Sequence, residues 1–328
     1  MILIFGGAGF VGQHVAKALL SRGERVVVTS FSRNDLPLLL AGEIEAGRVH
    51  VEKVDVTDPF AVMTITSKYR PRIIIDLTGH PPKALAPGRD VQFRIGGLLN
   101  ILESACLNDV SRIVLMSSMD AYWGLGVDHV PFREEATVPL LEQDDHFVVQ
   151  SWAKKALEVV GNLYRRQQGM DIVFVRASGI YGPLYRTFMH VPARFARAAA
   201  KGAGDFKPEQ GSMPFAEDGY DLIYVKDMAE GFALVATSTA LRYPVYNIGS
   251  GEAATNQMFA DAVSEVAPAF SVRLRSRSDP ALSGEPHNPM NGLWQDISRA
   301  REELGYYPRY SIRDAMAEYV DWLRYHER

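Results

Sequence analysis

The chain has 328 residues, 47% of them apolar and 23% charged, with 35 basic side chains against 39 acidic ones. That composition suits a soluble globular protein with a large core, and a net charge of -4 provides no basic field to attract nucleic acid. The single cysteine, Cys106, excludes an internal disulfide framework and reads as a small core residue in a reducing cytoplasm. A first strand is expected from residue 2, which leaves no room for a leader before it, and no apolar run reaches the length of a membrane span. The expectation is a cytoplasmic protein with no membrane partner.

The elements begin with the apolar strand Ile2-Leu3-Ile4-Phe5, which stops at Gly6-Gly7-Ala8-Gly9-Phe10-Val11-Gly12. Val15, Ala18, Leu19 and Leu20 then recur at helical spacing. Residues 7–12 satisfy G-x-G-x-x-G, and Gly6, Gly9 and Gly12 also fall at G-x-x-G-x-x-G. Strand, glycine turn and helix in that order form a dinucleotide fingerprint, in which a pyrophosphate meets the amides of the helix N-terminus. Gly6, Gly9, Phe10, Val11 and Gly12 are therefore expected to contact a cofactor.

Nearly continuous apolar runs predict further strands at Arg25–Thr29, Val49–Val54, Ile73–Leu77, Ile113–Met116 and Ile172–Val175. Helices are expected over Val91–Leu107 and Ser151–Gln167, the second with a buried stripe of Trp152, Leu157, Val160 and Leu163/Tyr164. This alternation predicts an α/β fold, a doubly wound parallel sheet of Rossmann type over residues 1–177. Residues 178–328 read mainly as a smaller substrate-binding lobe, with 221–250 returning to the first domain. Within the lobe, 188–201 and 256–266 look helical, Asp221–Val225 and Val245–Ile248 look like strands, and Asp314–Tyr325 is a closing amphipathic helix. The end of the second predicted strand carries Thr29 and Ser30, with Arg33 close behind and Asp35 the nearest acid. Small hydroxyls and a guanidinium suit a 2′-phosphate, so Ser30 and Arg33 favour NADP with NAD second, unless Arg33 is only a solvated loop charge. No metal-ligand spacing and no G-x-S-x-G is present, so neither a metal nor serine hydrolase chemistry is expected.

Six further landmarks follow the run GGAGFVG in order. They are Asp55-Val56-Thr57-Asp58, Ser117-Ser118-Met119-Asp120-Ala121-Tyr122, Arg176 through Ile180-Tyr181-Gly182-Pro183, Tyr224 through Ala229, Asn247 through Gly251, and Leu304 through Pro308. Together they resemble the extended short-chain dehydrogenase/reductase superfamily, in its epimerase/dehydratase branch. The resemblance implies that Asp55 and Val56 lie beside the adenine, that Thr78 approaches the cofactor, and that Lys154 holds the nicotinamide ribose. It implies a catalytic hydroxyl at Ser118 and, one helical turn before Lys154, a tyrosine. That position is Gln150, whose amide orients an oxygen but exchanges no proton near neutrality. Sliding the register to Lys155 puts Ser151 there and restores no phenol. Asp120 stands where sugar dehydratases of the family carry an acid, Met119 replaces the adjacent aspartate, and Tyr122 is the nearest phenol by sequence. Arg94 replaces an asparagine, while Gly179 and Tyr220 stand where nucleotide-sugar members carry asparagine and arginine toward the diphosphate. Met119, Trp123, Phe147, Gly179, Tyr181, Phe188 and Met189 fall in segments lining the family's substrate cleft, with His190 a further candidate.

The expected function is an NADP-dependent oxidoreductase that reduces a ketone or oxidises an alcohol on a small, apolar or aromatic, non-nucleotide substrate. Ser118, Gln150 and Lys154 would position it, with a proton from substrate, water or Asp120. Two alternatives stay open: an epimerase, dehydratase or lyase using tightly bound NAD(P) transiently on a sugar or related substrate, and a cofactor-binding regulator without catalysis. The resemblance also implies a homodimer through the helices of Val91–Leu107 and Ser151–Gln167.

Overall fold

A computed structural model describes residues 1–31, 37–79, 85–140, 148–202, 204–209, 212–282, 285 and 288–326. In chain order the first half comprises β1 (Ile2–Phe5), α1 (Phe10–Leu20), β2 (Val26–Ser30), α2 (Ala41–Glu45), β3 (Val49–Lys53), α3 (Pro59–Tyr69) and β4 (Ile73–Asp76). There follow α4 (Pro87–Val91), a π-turn at Gln92–Gly96, α5 (Gly97–Leu107), β5 (Arg112–Ser118), α6 (Val148–Gln167) and β6 (Ile172–Ala177). The second half holds β7 (Gly179–Tyr181), α7 (Val191–Ala200), β8 (Gly219–Tyr220), β9 (Leu222–Tyr224), α8 (Val225–Thr237), β10 (Val245–Ile248) and β11 (Ala254–Thr255). It ends with α9 (Asn256–Val266), α10 (Ser298–Leu304) and α11 (Ile312–His326).

Seven strands form one parallel sheet in the order β10-β6-β5-β4-β1-β2-β3. Alternation along β1 sends Ile2 and Ile4 into one apolar cluster and Leu3 and Phe5 into the other, so both sheet faces are covered. The chain reverses its direction of winding between β1 and β4. A crevice at the carboxyl ends of strands forms at such a switch point, and there the glycine turn ends.

Three expectations shift in detail. The strand expected at Asp221–Val225 narrows to β9, which pairs with β7 outside the main sheet, whereas β10 joins that sheet beside β6. Asp221 is buried, and its carboxylate accepts from Ser250 N at 2.9 Å, Ser250 Oγ at 2.7 Å and Gln295 N at 3.2 Å, tying loops together before β9 begins. Cys106 is exposed and not in the core, because the inward stripe of α5 runs through Leu98, Ile101, Leu102 and Ala105. The helix expected from Val91 starts one turn earlier, at Pro87.

One polar hub fixes α6 to the sheet. Glu158 accepts from Arg176 Nε at 2.9 Å and Nη2 at 2.7 Å, and from Ser117 Oγ at 2.6 Å. The guanidinium also lies 4.5 Å from the centre of the Tyr122 ring, and Tyr122 donates its hydroxyl to Asn247 Oδ1 at 2.8 Å. Arg176 and Glu158 side chains are only 6% and 15% exposed, so removing one leaves the other charged and dry. Glu158→Ala is expected to lower the urea-unfolding free energy by about 3–5 kcal/mol, most of it recovered in the Glu158→Ala/Arg176→Met double variant. An unchanged unfolding midpoint in the single variant would contradict this role.

Candidate active site

The glycine turn is built by contacts that admit no side chain. Gly6 has φ +72°, and a Cβ on Gly12 would lie 2.5 Å from Gly7 Cα and closer still to the Gly6 carbonyl oxygen. Gly6 N donates to Thr29 Oγ1 at 3.0 Å, and Ala8 N to Thr29 O at 3.1 Å. The Thr29 hydroxyl, read in sequence as part of a 2′-phosphate pocket, thus braces the turn as an acceptor. Gly9 is the N-cap of α1, which has no side-chain cap and no acid in its first turn. Among the described residues no acceptor meets the amides of Phe10, Val11 and Gly12. Unpaired amides at a positive helix end over a tight, glycine-rich turn fit a pyrophosphate.

The rest of a dinucleotide path follows the strand ends. Beyond β3, Asp55 Oδ1 accepts from Thr57 N at 2.9 Å and Thr57 Oγ1 at 2.7 Å, while the Val56 carbonyl accepts from Asn100 Nδ2 at 2.9 Å. Ser30 is buried, and its carbonyl takes Val54 N at 2.9 Å. No carboxylate stands at the described end of β2, and Arg33 lies outside the described residues. At the end of β4, buried Asp76 accepts from Thr78 N at 2.9 Å and Thr78 Oγ1 at 2.7 Å.

Gln150 and Lys154 lie one turn apart on α6, and Lys154 Nζ donates to Met116 O at 2.7 Å on β5. Burial pushes the Lys154 pKa down, Asp76 pulls it up, and the nearby Arg94 guanidinium pushes it down again. Burial also raises the Asp76 pKa. Lys155 is buried and donates instead to Trp123 O at 2.8 Å, so the two lysines serve different sites. Ser118 Oγ accepts from Asp120 N at 3.1 Å, capping the short turn Met119–Tyr122. The Asp120 charge adds a small upward pull on the pKa of both Lys154 and Tyr220.

Several expected site residues sit elsewhere. Tyr122 is wholly buried, stacked 5.0 Å from Phe132, and burial raises its pKa to about 12, so it packs and does not reach the cleft. Tyr181 is buried against Tyr224 and Phe259, at 5.7 and 5.4 Å between ring centres, and is core. Met119 and Trp123 are buried in a cluster with Phe132, Met290 and Leu293, against which Tyr220 packs. Phe188 is half-buried under the Arg197 guanidinium, Met189 is exposed, and Phe147 lies outside the described residues.

Gly179 has a local steric reason. A Cβ there would lie 3.1 Å from Tyr220 Cε2 and 2.7 Å from Leu222 Cδ2, so the glycine admits the Tyr220 ring. Tyr220 OH is 2.6 Å from His190 Nδ1, and His190 stacks on Tyr185 at 5.3 Å. Burial raises the Tyr220 pKa and lowers that of His190 to about 4, leaving the pair uncharged at neutral pH. Sequence reasoning missed Asp76, although an acid ending the run Ile73-Ile74-Ile75 two residues before Thr78 was a readable signal. Among the described residues no group of three or more His, Cys, Asp or Glu could hold a metal ion, and no helix is long and apolar enough to cross a membrane.

Comparison with known proteins gives one family. The profile of the NAD dependent epimerase/dehydratase family matches residues 2–249. A UDP-glucuronate 4-epimerase of Thermodesulfobacterium geofontis is 25% identical over 98% of this chain and 95% of its own. A dTDP-glucose 4,6-dehydratase of Actinoplanes is 25% identical over 98% and 97%. Among solved structures, the UDP-glucose 4-epimerase of Thermus thermophilus in complex with NAD has a TM-score of 0.75 at 25% identity, covering 98% of each chain.

The buried imidazoles carry a pH prediction. His14 and His190 are both held by burial at about 4, below the ordinary 6.5. Between those values the unfolded chain binds protons that the folded chain refuses. The associated stability is therefore full above pH 6.5 and lost as pH falls toward 4. His190→Gln is expected to remove on the order of 3 kcal/mol of that loss, read by urea unfolding at pH 7 and pH 4. Identical pH slopes in variant and wild type would contradict it.

Proposed function

The chain belongs to the NAD dependent epimerase/dehydratase family, and from that premise we propose that it is an enzyme that retains NAD and uses it transiently to epimerise or dehydrate a sugar or related polyol. The carrying observation is the tight glycine turn under the unpaired amides of Phe10, Val11 and Gly12, with Lys154 held on β5 of the same sheet. When bound, the nicotinamide supplies reversible acceptance of hydride from a carbon bearing a hydroxyl. Lys154 holds the ribose, the Ser118 hydroxyl and Gln150 amide orient the reacting oxygen, and Asp120 exchanges the proton that Gln150 cannot. Gly6, Gly9 and the α1 amides hold the phosphates, with Asp55, Val56 and Thr78 along the path. The relatives favour this internal use of the cofactor over net ketone reduction on an apolar substrate. Family membership and the NAD-bound Thermus structure favour NAD over NADP.

A second reading, a nucleotide-binding regulator without turnover, is favoured by one observation, the glutamine at position 150. Purified protein separates the readings. The proposal expects NAD to copurify and UDP-glucuronate, UDP-glucose, dTDP-glucose or a free uronate to be converted with no net change at the nicotinamide absorbance band. Lys154→Ala should lose cofactor and turnover together, and Gln150→Ala should lose less. Net NADH consumption would return the function to ketone reduction, and bound NAD without turnover of any of these would favour the regulator.

We also propose a homodimer through α5 and α6, whose outer faces expose Leu99, Leu107, Val159 and Leu163 at 37%, 69%, 59% and 49%. Leu163→Glu with Val159→Glu should sediment as a monomer while the wild type sediments as a dimer. A monomeric wild type would contradict the pairing.

A further inference from the structure

Arg94 lies on the π-turn Gln92–Gly96, a helical irregularity of the kind often found at functional sites. Its Nε is held by both oxygens of Asp90, at 3.0 and 3.1 Å, and the side chain is only 11% exposed. Its Nη2 is sealed from solvent and has no acceptor among the described residues. A buried donor left without a partner is costly, and a guanidinium cannot relieve the cost by losing its proton. The Asp90 brace holds Nε and fixes the direction of the fork, leaving Nη2 to another anion.

The surroundings indicate which anion. One turn after Arg94, Gly97 packs on Val56, three residues beyond β3, where a Cβ would lie 2.9 Å from Val56 Cγ2. In the other direction, the π-turn that carries Arg94 packs against α6, the helix of Lys154. Arg94 therefore stands between the Val56 segment and the Lys154 helix, the adenine and ribose ends of the proposed dinucleotide path. The centre of an extended dinucleotide is its pyrophosphate.

We propose that Arg94, braced by Asp90, is a second hold on the nicotinamide nucleotide, its guanidinium donating to the pyrophosphate that the first turn of α1 also binds. The inference rests on the cofactor reading above and adds a specific device to it. A planar fork matches phosphate oxygens in two-point fashion, which a neutral amide does not. Such a contact slows release and suits a cofactor that is reoxidised in place. If Arg94 were only one half of a helix ion pair with Asp90, its removal would leave nucleotide affinity unchanged.

Calorimetric titration of nucleotide-stripped protein with NAD, ADP-ribose and adenosine tests this. Arg94→Asn should weaken NAD and ADP-ribose about ten- to a hundredfold, with adenosine unaffected. Arg94→Lys, which keeps the charge without the fork, should fall between. Equal NAD affinity in wild type and Arg94→Asn, or an equal loss for adenosine, overturns the proposal. No NAD uptake by the wild type overturns the cofactor reading itself. Should the asparagine variant fail to fold by circular dichroism, Arg94→Lys, which keeps the charge beside Asp90, decides: NAD and ADP-ribose should bind it more weakly than the wild type with adenosine unaffected, and unchanged NAD affinity overturns the proposal.

Discussion

The backbone of the glycine turn touches itself so closely at Gly12 that one added methyl would collide with Gly6 and Gly7. The rest of the site depends on that approach. It brings the start of α1 over the end of β1 with bare amides, and Thr29 on the neighbouring strand locks the arrangement through Gly6 N and Ala8 N. A larger residue at Gly12 would push the helix away and open the positive end of its dipole to water.

A second constraint holds α6 against that platform. Lys154 is a turn before Glu158, and Glu158 is tied to Arg176 and Ser117 on β6 and β5. Ser117 points back into this hub and Ser118 caps the turn above it, so two adjacent serines divide anchoring from positioning. Asp76, Lys154, Arg94 and Asp120 form a mixed-charge group over the strand ends. Burial shifts Lys154 down and Asp76 up, and each of the two charges opposes the other's shift, a pattern frequent at active sites and also found in structural networks.

Much of this was legible from residues alone. The strand, glycine and helix order at residues 2–20 fixed the sheet's first unit, and β-branched runs found all six strands of the parallel set through Ile172. The segment Phe60-Ala61-Val62-Met63-Thr64-Ile65 gave no helical expectation because its residues favour strands, yet Asp58 caps α3 by accepting from Phe60 N and Ala61 N. Likewise α8 begins directly at Val225, because tertiary packing against α1 and β10 overrides a weak local pattern that includes Gly231. Side-chain roles were harder. Thr29, Tyr122 and Tyr181 are polar residues near the right landmarks, and only long-range geometry reveals that their groups face Gly6, Asn247 and the core. The coupling of Gly179 to Tyr220 spans 41 residues of chain and has no local signature.

The most direct test of the account is hydrogen exchange at the amides of Phe10, Val11 and Gly12 in nucleotide-stripped protein, with and without NAD. If a pyrophosphate rests on the first turn of α1, these amides exchange markedly more slowly with NAD, while those of α11 do not change. If NAD leaves exchange at the turn unaltered, the glycine turn is only a structural corner and the cofactor-based account fails.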